Sequence, residues 1–157
     1  TIIKALMDGL HVRVPALEVT YSMADRRFAA GCAESDGSAA ACAVTQLELF
    51  VMAPMCVLLF AAYLKRWRCR DALELVLCTL QVGGTVAFAG PQVFIGLKDV
   101  WRGWELTLES VAYFWFAFAF CMPLWVVVPL ALGARAWRRL DVALARTEAH
   151  VRDAKAE

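Results

Sequence analysis

The sequence predicts an all-α protein, a polytopic membrane helix bundle in which four spans are visible and the first is partial. Of the 157 residues, 61% are hydrophobic and 20% are charged, whereas soluble domains average about 45–50% and about 25%. The mean hydropathy is +0.58, and residues 110–134 carry no charge. Since a spanning helix needs about 20 apolar residues, these observations indicate a chain that crosses a membrane repeatedly and has short aqueous loops.

Four apolar runs make up the predicted bundle. They are residues 1–12 (the end of a span that begins before Thr1), 39–64, 72–95 and 110–134. The second run contains one charged residue, Glu48, and the third contains only Glu74, near its start. We therefore assign residues 1–134 to one transmembrane bundle domain.

Basic residues predict the orientation of this bundle. The turn 65–71, KRWRCRD, holds four Lys or Arg residues. The last span is followed directly by Arg135, Arg138 and Arg139. Both segments lie on one side of the membrane by helix parity, and an excess of Lys and Arg marks the cytosolic side. Residues 135–157 are therefore expected to form an amphipathic, cytosolic helical tail, with apolar residues at helical spacing at Leu140, Leu144 and Val151.

Charge and cysteine spacing exclude other classes of protein. The net charge of +1 leaves no dominant basic face, so binding to nucleic acid is not predicted. The six cysteines form no CxxC pair, and none lies near a His at ligand spacing, so neither a metal site nor a cofactor is predicted. Cys32 and Cys42 flank one polar loop, and whether they form a disulfide or stay free is left open.

Two carboxylates within apolar runs are the first candidate functional residues. An ionised Glu48 in hydrocarbon would cost at least a few kcal/mol, so it should be protonated, paired or turned toward a cavity. Asp8 lies in the apolar run 5–12, with Lys4 one helical turn before it. Lys4 and Asp8 could form an ion pair near a helix end. Alternatively, Asp8 and Glu48 share a cavity, where they hold a cation or divide the roles of acid and base.

Polar and aromatic residues of the later spans extend this candidate site. Gln81 carries an amide that needs partners when buried. In the last span, aromatic and thioether side chains recur at intervals of three and four residues, at Trp115, Phe118, Met122 and Trp125. Such a stripe would line a flat apolar ligand or stabilise a cation through its ring faces. The simpler alternative is that these side chains only pack the bundle or face lipid.

Several motifs carry a resemblance to a known family. YFWFAFAFCMPLWVVVP resembles the last helix of emopamil-binding proteins, and MAPMCVLLFAAYLKRWRCRDALELVLCTLQVGGTVAF aligns without gaps to their helix–short turn–helix region. LEVTYSMADRRF resembles the family loop Trp-x-x-Tyr-x-x-x-Asp-x-Arg, and IKALMDG falls where the family has a His followed by Glu-Gly. The chain is thus similar to the EXPERA family, and the short spacing in ELFVMAP is more like its sigma-two receptor branch.

The resemblance implies a site as well as a fold. In the family's sterol isomerase, a carboxylic acid protonates a ring alkene, a base removes a neighbouring proton, and the intramembrane cavity also accepts lipophilic amines. Lys4 falls at the family's His, Asp8 at its first Glu, Glu48 near its second Glu, Met122 at its Asn and Trp125 at its Trp. Asp8 and Glu48 are therefore the candidate catalytic residues, with Glu48 as the acid.

Three functional hypotheses follow, and the sequence ranks them. Methionine at position 122 cannot hydrogen-bond as an amide does, and a lysine at position 4 would keep a neighbouring acid ionised. We therefore expect a membrane protein that binds a sterol or lipophilic amine, with weak or no isomerase activity. The alternatives are an accessory subunit beside other membrane subunits, and an active 3β-hydroxysteroid 8,7-isomerase. The expected location among membrane lipids is the endoplasmic reticulum, or another organelle for a complex subunit.

Overall fold

The computed structural model describes residues 15–27, 38–101 and 103–156. The predicted partial span 1–12, with Lys4 and Asp8, lies outside these residues. All regular elements in the described part of the chain are helical, which confirms the predicted all-α class.

Five α-helices and two π-helical segments make up the described chain. They are α1 (Pro15–Ala24), α2 (Ser38–Leu47), a first π segment (Glu48–Met52), α3 (Ala53–Leu64), α4 (Arg70–Phe94), a second π segment (Ser110–Phe120) and α5 (Cys121–Ala156). Each π segment joins its neighbouring α-helices without a break, so α2 and α3 form one continuous rod, and the second π segment leads directly into α5.

Three of these rods are long and apolar enough to cross a membrane: Ala39–Leu64, Arg70–Phe94 and Ser110–Lys155. The first two match the predicted spans 39–64 and 72–95 closely, and the third contains the predicted span 110–134 and continues beyond it. Most of their large apolar side chains are exposed in the isolated chain, as expected for surfaces that contact lipid. The prediction of a polytopic helical bundle is therefore confirmed.

Helix α4 lies at the centre of the bundle. It packs most extensively against α5, and also against α2 and α3. The contact with α5 is close because Gly133 has no side chain: a Cβ there would lie 3.3 Å from the Cβ of Cys78. Ala136, one turn further, is fully buried. Small residues at the contact allow two membrane helices to approach closely.

Local chemistry explains where α4 ends. Gly96 adopts φ +69° and Leu97 φ +61°, and this left-handed turn stops the helix. The Leu97 amide donates to the carbonyl of Gln92 (2.6 Å) and the Gly96 amide to that of Val93 (3.4 Å), a pattern that satisfies the last carbonyls of a helix. The buried Gln92 side chain then donates to the Asp99 carboxylate (2.7 Å) and accepts from the Asp99 amide (3.1 Å).

Polar contacts define the two ends of the bundle. At the end that carries the turn 65–69, which we call the basic end, Arg139 of α5 donates to Asp71 of α4 (2.7 Å) and also pairs with Glu74. At the opposite end the Arg26 amide donates to the carbonyl of Asp99 (3.3 Å). The basic turn and the start of the tail therefore share one end, and the described residues that follow α1 and α4 meet at the other.

The predicted tail is helical, since α5 continues without interruption to Ala156. Leu144 and Val151 are exposed. Of the cysteine pair whose state was left open, Cys42 is disulfide-bonded, and Cys32 lies outside the described residues.

Candidate ligand site

The first π segment begins at Glu48. The amide of Ala53 donates to the carbonyl of Glu48, five residues earlier, instead of four as in an α-helix. Pro54 follows at the start of α3, and because proline has no amide hydrogen it cannot restore the α-helical bond to residue 50. Such π segments occur frequently at functional sites. Here the segment begins at the one acidic residue of its span.

Glu48 faces a cavity of about 410 Å³ between α2, α3, α4 and α5, which we call the Glu48 cavity. Its wall is mostly apolar and includes Val44, Glu48, Met52, Ala53, Cys56, Gln81, Gly84, Thr85, Phe88, Met122 and Trp125. Sites for small molecules in proteins typically measure about 300–1,000 Å³. The cavity is thus large enough for an elongated organic molecule.

The polar groups of the Glu48 cavity are few. The Oε2 atom of Glu48 is buried and has no hydrogen-bond partner among the described residues. The Thr85 hydroxyl is used within its own helix, since it donates to the carbonyl of Gln81 (2.8 Å). A buried polar atom without a partner costs roughly 1–3 kcal/mol. Glu48 is therefore the group in this wall that a hydrogen-bond donor on a ligand would satisfy.

The structure brings together some of the predicted site residues. Glu48, Gln81, Met122 and Trp125 all line the Glu48 cavity. Met122 packs against the core cluster that contains Val44 and Phe88, and it places a thioether where an amide would have offered a donor. Trp125 is 54% exposed and forms part of the rim.

Trp115 and Phe118 lie outside the wall of this cavity. They belong to an aromatic cluster near the opposite end: the Phe114 ring centroid is 5.2 Å from that of Trp115, 6.1 Å from that of Phe118 and 4.7 Å from that of Trp101. The predicted stripe assumed α-helical spacing along the whole span. Residues 110–120 are π-helical, so the α-helical spacing does not hold along the whole span, and the stripe divides after Phe118.

A buried ion pair above the cavity was not among the predicted site residues. Arg27 Nη2 lies 2.6 Å from Asp25 Oδ2, and the two side chains are 1% and 5% exposed. Arg27 also donates to the carbonyl of Phe88 (2.7 Å), and its guanidinium lies 4.3 Å from the centroid of the Phe88 ring. Since Phe88 lines the Glu48 cavity, the ion pair contacts one of the residues that form its wall. The signal in the sequence was the Asp-x-Arg match in ADRR, which had been given no role.

At the basic end, a second polar cluster joins three helices. Tyr63 of α3 donates to Glu74 of α4, Arg139 of α5 pairs with the same carboxylate, and Arg139 lies 3.3 Å from the Tyr63 hydroxyl. This cluster ties the ends of α3 and α5 to α4. It contains no residue of the cavity wall, so we assign it a structural role.

The described residues form a helix bundle of an integral membrane protein, in which a buried carboxyl oxygen of Glu48 without a partner faces a cavity. The family model described as EXPERA (EXPanded EBP superfamily) matches residues 21–136, and the chain belongs to this family. The resemblance seen in the sequence is thereby confirmed. Comparisons with curated proteins and with solved structures gave no significant match.

Proposed function

We propose that this protein binds a sterol or a similar lipophilic molecule, such as a lipophilic amine, in the Glu48 cavity, with weak or no sterol isomerase activity. The observation that carries this proposal is the buried Glu48 oxygen without a partner in a mostly apolar wall. A ligand hydroxyl or ammonium group would satisfy that oxygen. The rest of the wall would contact an apolar ligand body.

The chemistry of the wall supports binding more than catalysis. Isomerisation of a ring alkene needs a proton donor and a base held on either side of the substrate. Glu48 is the one candidate for these two roles among the described wall residues. We propose that Asp8, with Lys4 beside it, supplies the other. Met122 offers no donor that could orient a carboxyl group. Because a misplaced donor loses the advantage of proximity, we infer that any isomerase activity is weak.

An accessory subunit of a membrane complex is the second candidate function. Its support is helix α5, which extends well past the predicted membrane segment and exposes Trp137, Leu144 and Val151. Exposed apolar residues on a helix outside lipid are a common basis for contact with other subunits. Both functions are compatible with one protein, since the tail and the Glu48 cavity do not overlap.

The endoplasmic reticulum is the location that we propose. The disulfide-bonded Cys42 lies in α2 near the end opposite the basic turn. Disulfides persist in oxidising compartments such as the lumen of the endoplasmic reticulum. With the basic end in the cytosol, Cys42 would face that lumen.

Equilibrium binding of a radiolabelled lipophilic tertiary amine to the full chain in nanodiscs tests the proposed function. Glu48→Gln should weaken binding by about 1–3 kcal/mol, because it removes a charge-assisted hydrogen bond without changing the shape of the side chain. Glu105→Gln is the matched control, since Glu105 is exposed in the loop after α4. Equal affinities of the wild type and Glu48→Gln would contradict the proposed site.

A further inference from the structure

A second cavity adjoins the first on the side toward the basic end. Helices α3 and α5 each pack on α4 but make little contact with each other, which leaves a lateral cleft of about 430 Å³. Its wall is apolar apart from one amide and comprises Cys56, Leu77, Cys78, Gln81, Cys121, Leu124, Trp125, Val128, Pro129 and Leu132. We call it the α3–α5 cleft.

The cleft lies next to the Glu48 cavity. The two share three wall residues, Cys56, Gln81 and Trp125. Along α4 the combined wall runs from Phe88 to Leu77, and at 1.5 Å per residue this is about 16 Å. One turn beyond Leu77, the cluster of Tyr63, Glu74 and Arg139 joins α3 to α5. The combined space is therefore elongated and ends at that cluster.

Polarity differs between the two parts of this space. The buried Glu48 Oε2 atom without a partner lies in the first part, whereas the cleft adds leucine, valine, proline and thiol groups. Its rim is open: Leu124 is 42% exposed and Val128 is 49% exposed. An open apolar rim tolerates chains of different length, because a chain that outgrows the cleft continues into lipid.

We propose that the ligand is a single amphiphile whose compact polar head meets Glu48 and whose flexible apolar tail lies in the α3–α5 cleft, directed toward the basic end. This inference rests on the proposed function, since it needs a ligand at Glu48. It adds the orientation of that ligand and the requirement for a tail. A membrane acyl chain that fills the cleft by itself is the competing occupant.

The test compares two adjacent substitutions and two probes. Val128→Trp places a bulky ring in the cleft, and Val127→Trp is the matched control, because Val127 is 60% exposed and is not a wall residue of either cavity. The probes are N,N-dimethylbutylamine, which can reach only the Glu48 cavity, and N,N-dimethyldecylamine. Their affinities are measured on the full chain in nanodiscs and compared between variants, so that partitioning of each probe into lipid cancels.

We expect Val128→Trp to weaken binding of the decyl probe by about tenfold or more, equivalent to about 1.4 kcal/mol, and to leave the butyl probe within about twofold. Val127→Trp should change neither affinity. A Val128→Trp variant that retains decyl binding, or that loses both probes equally, would overturn the inference, because the cleft would then hold only lipid or would not be separable from the Glu48 cavity. Failure of the decyl probe to bind the wild type would instead refute the proposed function, whereas failure of the butyl probe alone would support the requirement for a tail.

A second readout uses a native thiol. Cys121 is free and lines the cleft but not the Glu48 cavity. The decyl probe should slow its alkylation by N-ethylmaleimide, followed by mass spectrometry, whereas the butyl probe should not. Equal protection by the two probes, or none by either while both bind, would contradict a tail in the cleft.

Discussion

Arg27 shows how far one residue can determine the shape of a site that it does not line. Its guanidinium is paired with Asp25, bonded to the Phe88 carbonyl and placed over the Phe88 ring. A buried ion pair adds little to the free energy of unfolding when it is compared with apolar residues of the same size. Removing one partner, however, is costly because it leaves a buried, unpaired charge. Asp25 and Arg27, which follow α1, are thereby bonded to the wall of the Glu48 cavity.

Arg27→Gln should therefore destabilise the protein, by about 3–5 kcal/mol, and Asp25→Asn should do so to a similar extent. The double variant should lose clearly less free energy of unfolding than the sum of the losses in the two single variants, since each substitution already removes the ion pair. Reversible unfolding in a titration with sodium dodecyl sulfate, followed by circular dichroism, gives these free energies. Additive losses would show that the two side chains act independently.

Arg70→Gln is the control for that series. Its Nε lies 3.9 Å from Asp71 Oδ2, and its side chain is 38% exposed, so its pair is weak and screened by solvent. The substitution should change the free energy of unfolding by less than about 1 kcal/mol.

At the residue scale the sequence predicted the site unevenly, for a physical reason. Glu48 and Gln81 were predictable because a polar group in an apolar run needs an explanation. Arg27 and Asp25 were not, because charged residues in a polar loop are ordinary, and only tertiary structure shows that these two are buried. Lys4 and Asp8 stay predictions, since they lie outside the described residues.

At the scale of elements, hydropathy predicts that the three long helices exist, but it does not predict their π segments. The three long rods are predictable from length and apolarity, because a backbone segment in lipid must satisfy its own hydrogen bonds and a helix does so. In a uniformly apolar helix, however, no period in the sequence reveals how tightly it is wound. The stripe from Trp115 to Trp125 was therefore predicted as one face, while only Met122 and Trp125 reach the cavity.

Pro54→Ala tests the first π segment. Alanine restores the amide that an α-helical bond to residue 50 requires, so the rod is expected to rewind and turn Glu48 away from the cavity. Amine affinity in nanodiscs should fall by about threefold or more, about 0.7 kcal/mol, without a loss of thermal stability.

Pro91→Ala, near the end of α4 and away from both cavities, should leave amine affinity unchanged. If Pro54→Ala keeps the wild-type affinity, proline does not maintain the π segment, and the orientation of Glu48 must have another cause.

At the scale of the whole molecule, the fold is that of the EXPERA family, while the wall of the cavity departs from the family's isomerase pattern at Met122. We expect that the full-length chain will not restore growth to a cell that lacks its own sterol isomerase, because Met122 offers no hydrogen-bond donor to orient a carboxyl group. Growth and the profile of extracted sterols are the measurements. Robust growth with a normal sterol profile would place the chain among the active isomerases.

The unbroken course of α5 has a mechanical consequence. Arg139 fastens this helix to α4 at the basic end, and the helix continues as a single rod to Ala156, about 25 Å further on. A rod of that length acts as a lever with its pivot at Arg139, so a tilt of about 10° would displace its tip by roughly 4 Å. Any molecule that widened the gap between α3 and α5 would push on this lever close to the pivot. The tip of the tail at Ala156 is therefore the part of α5 that such a tilt would move farthest.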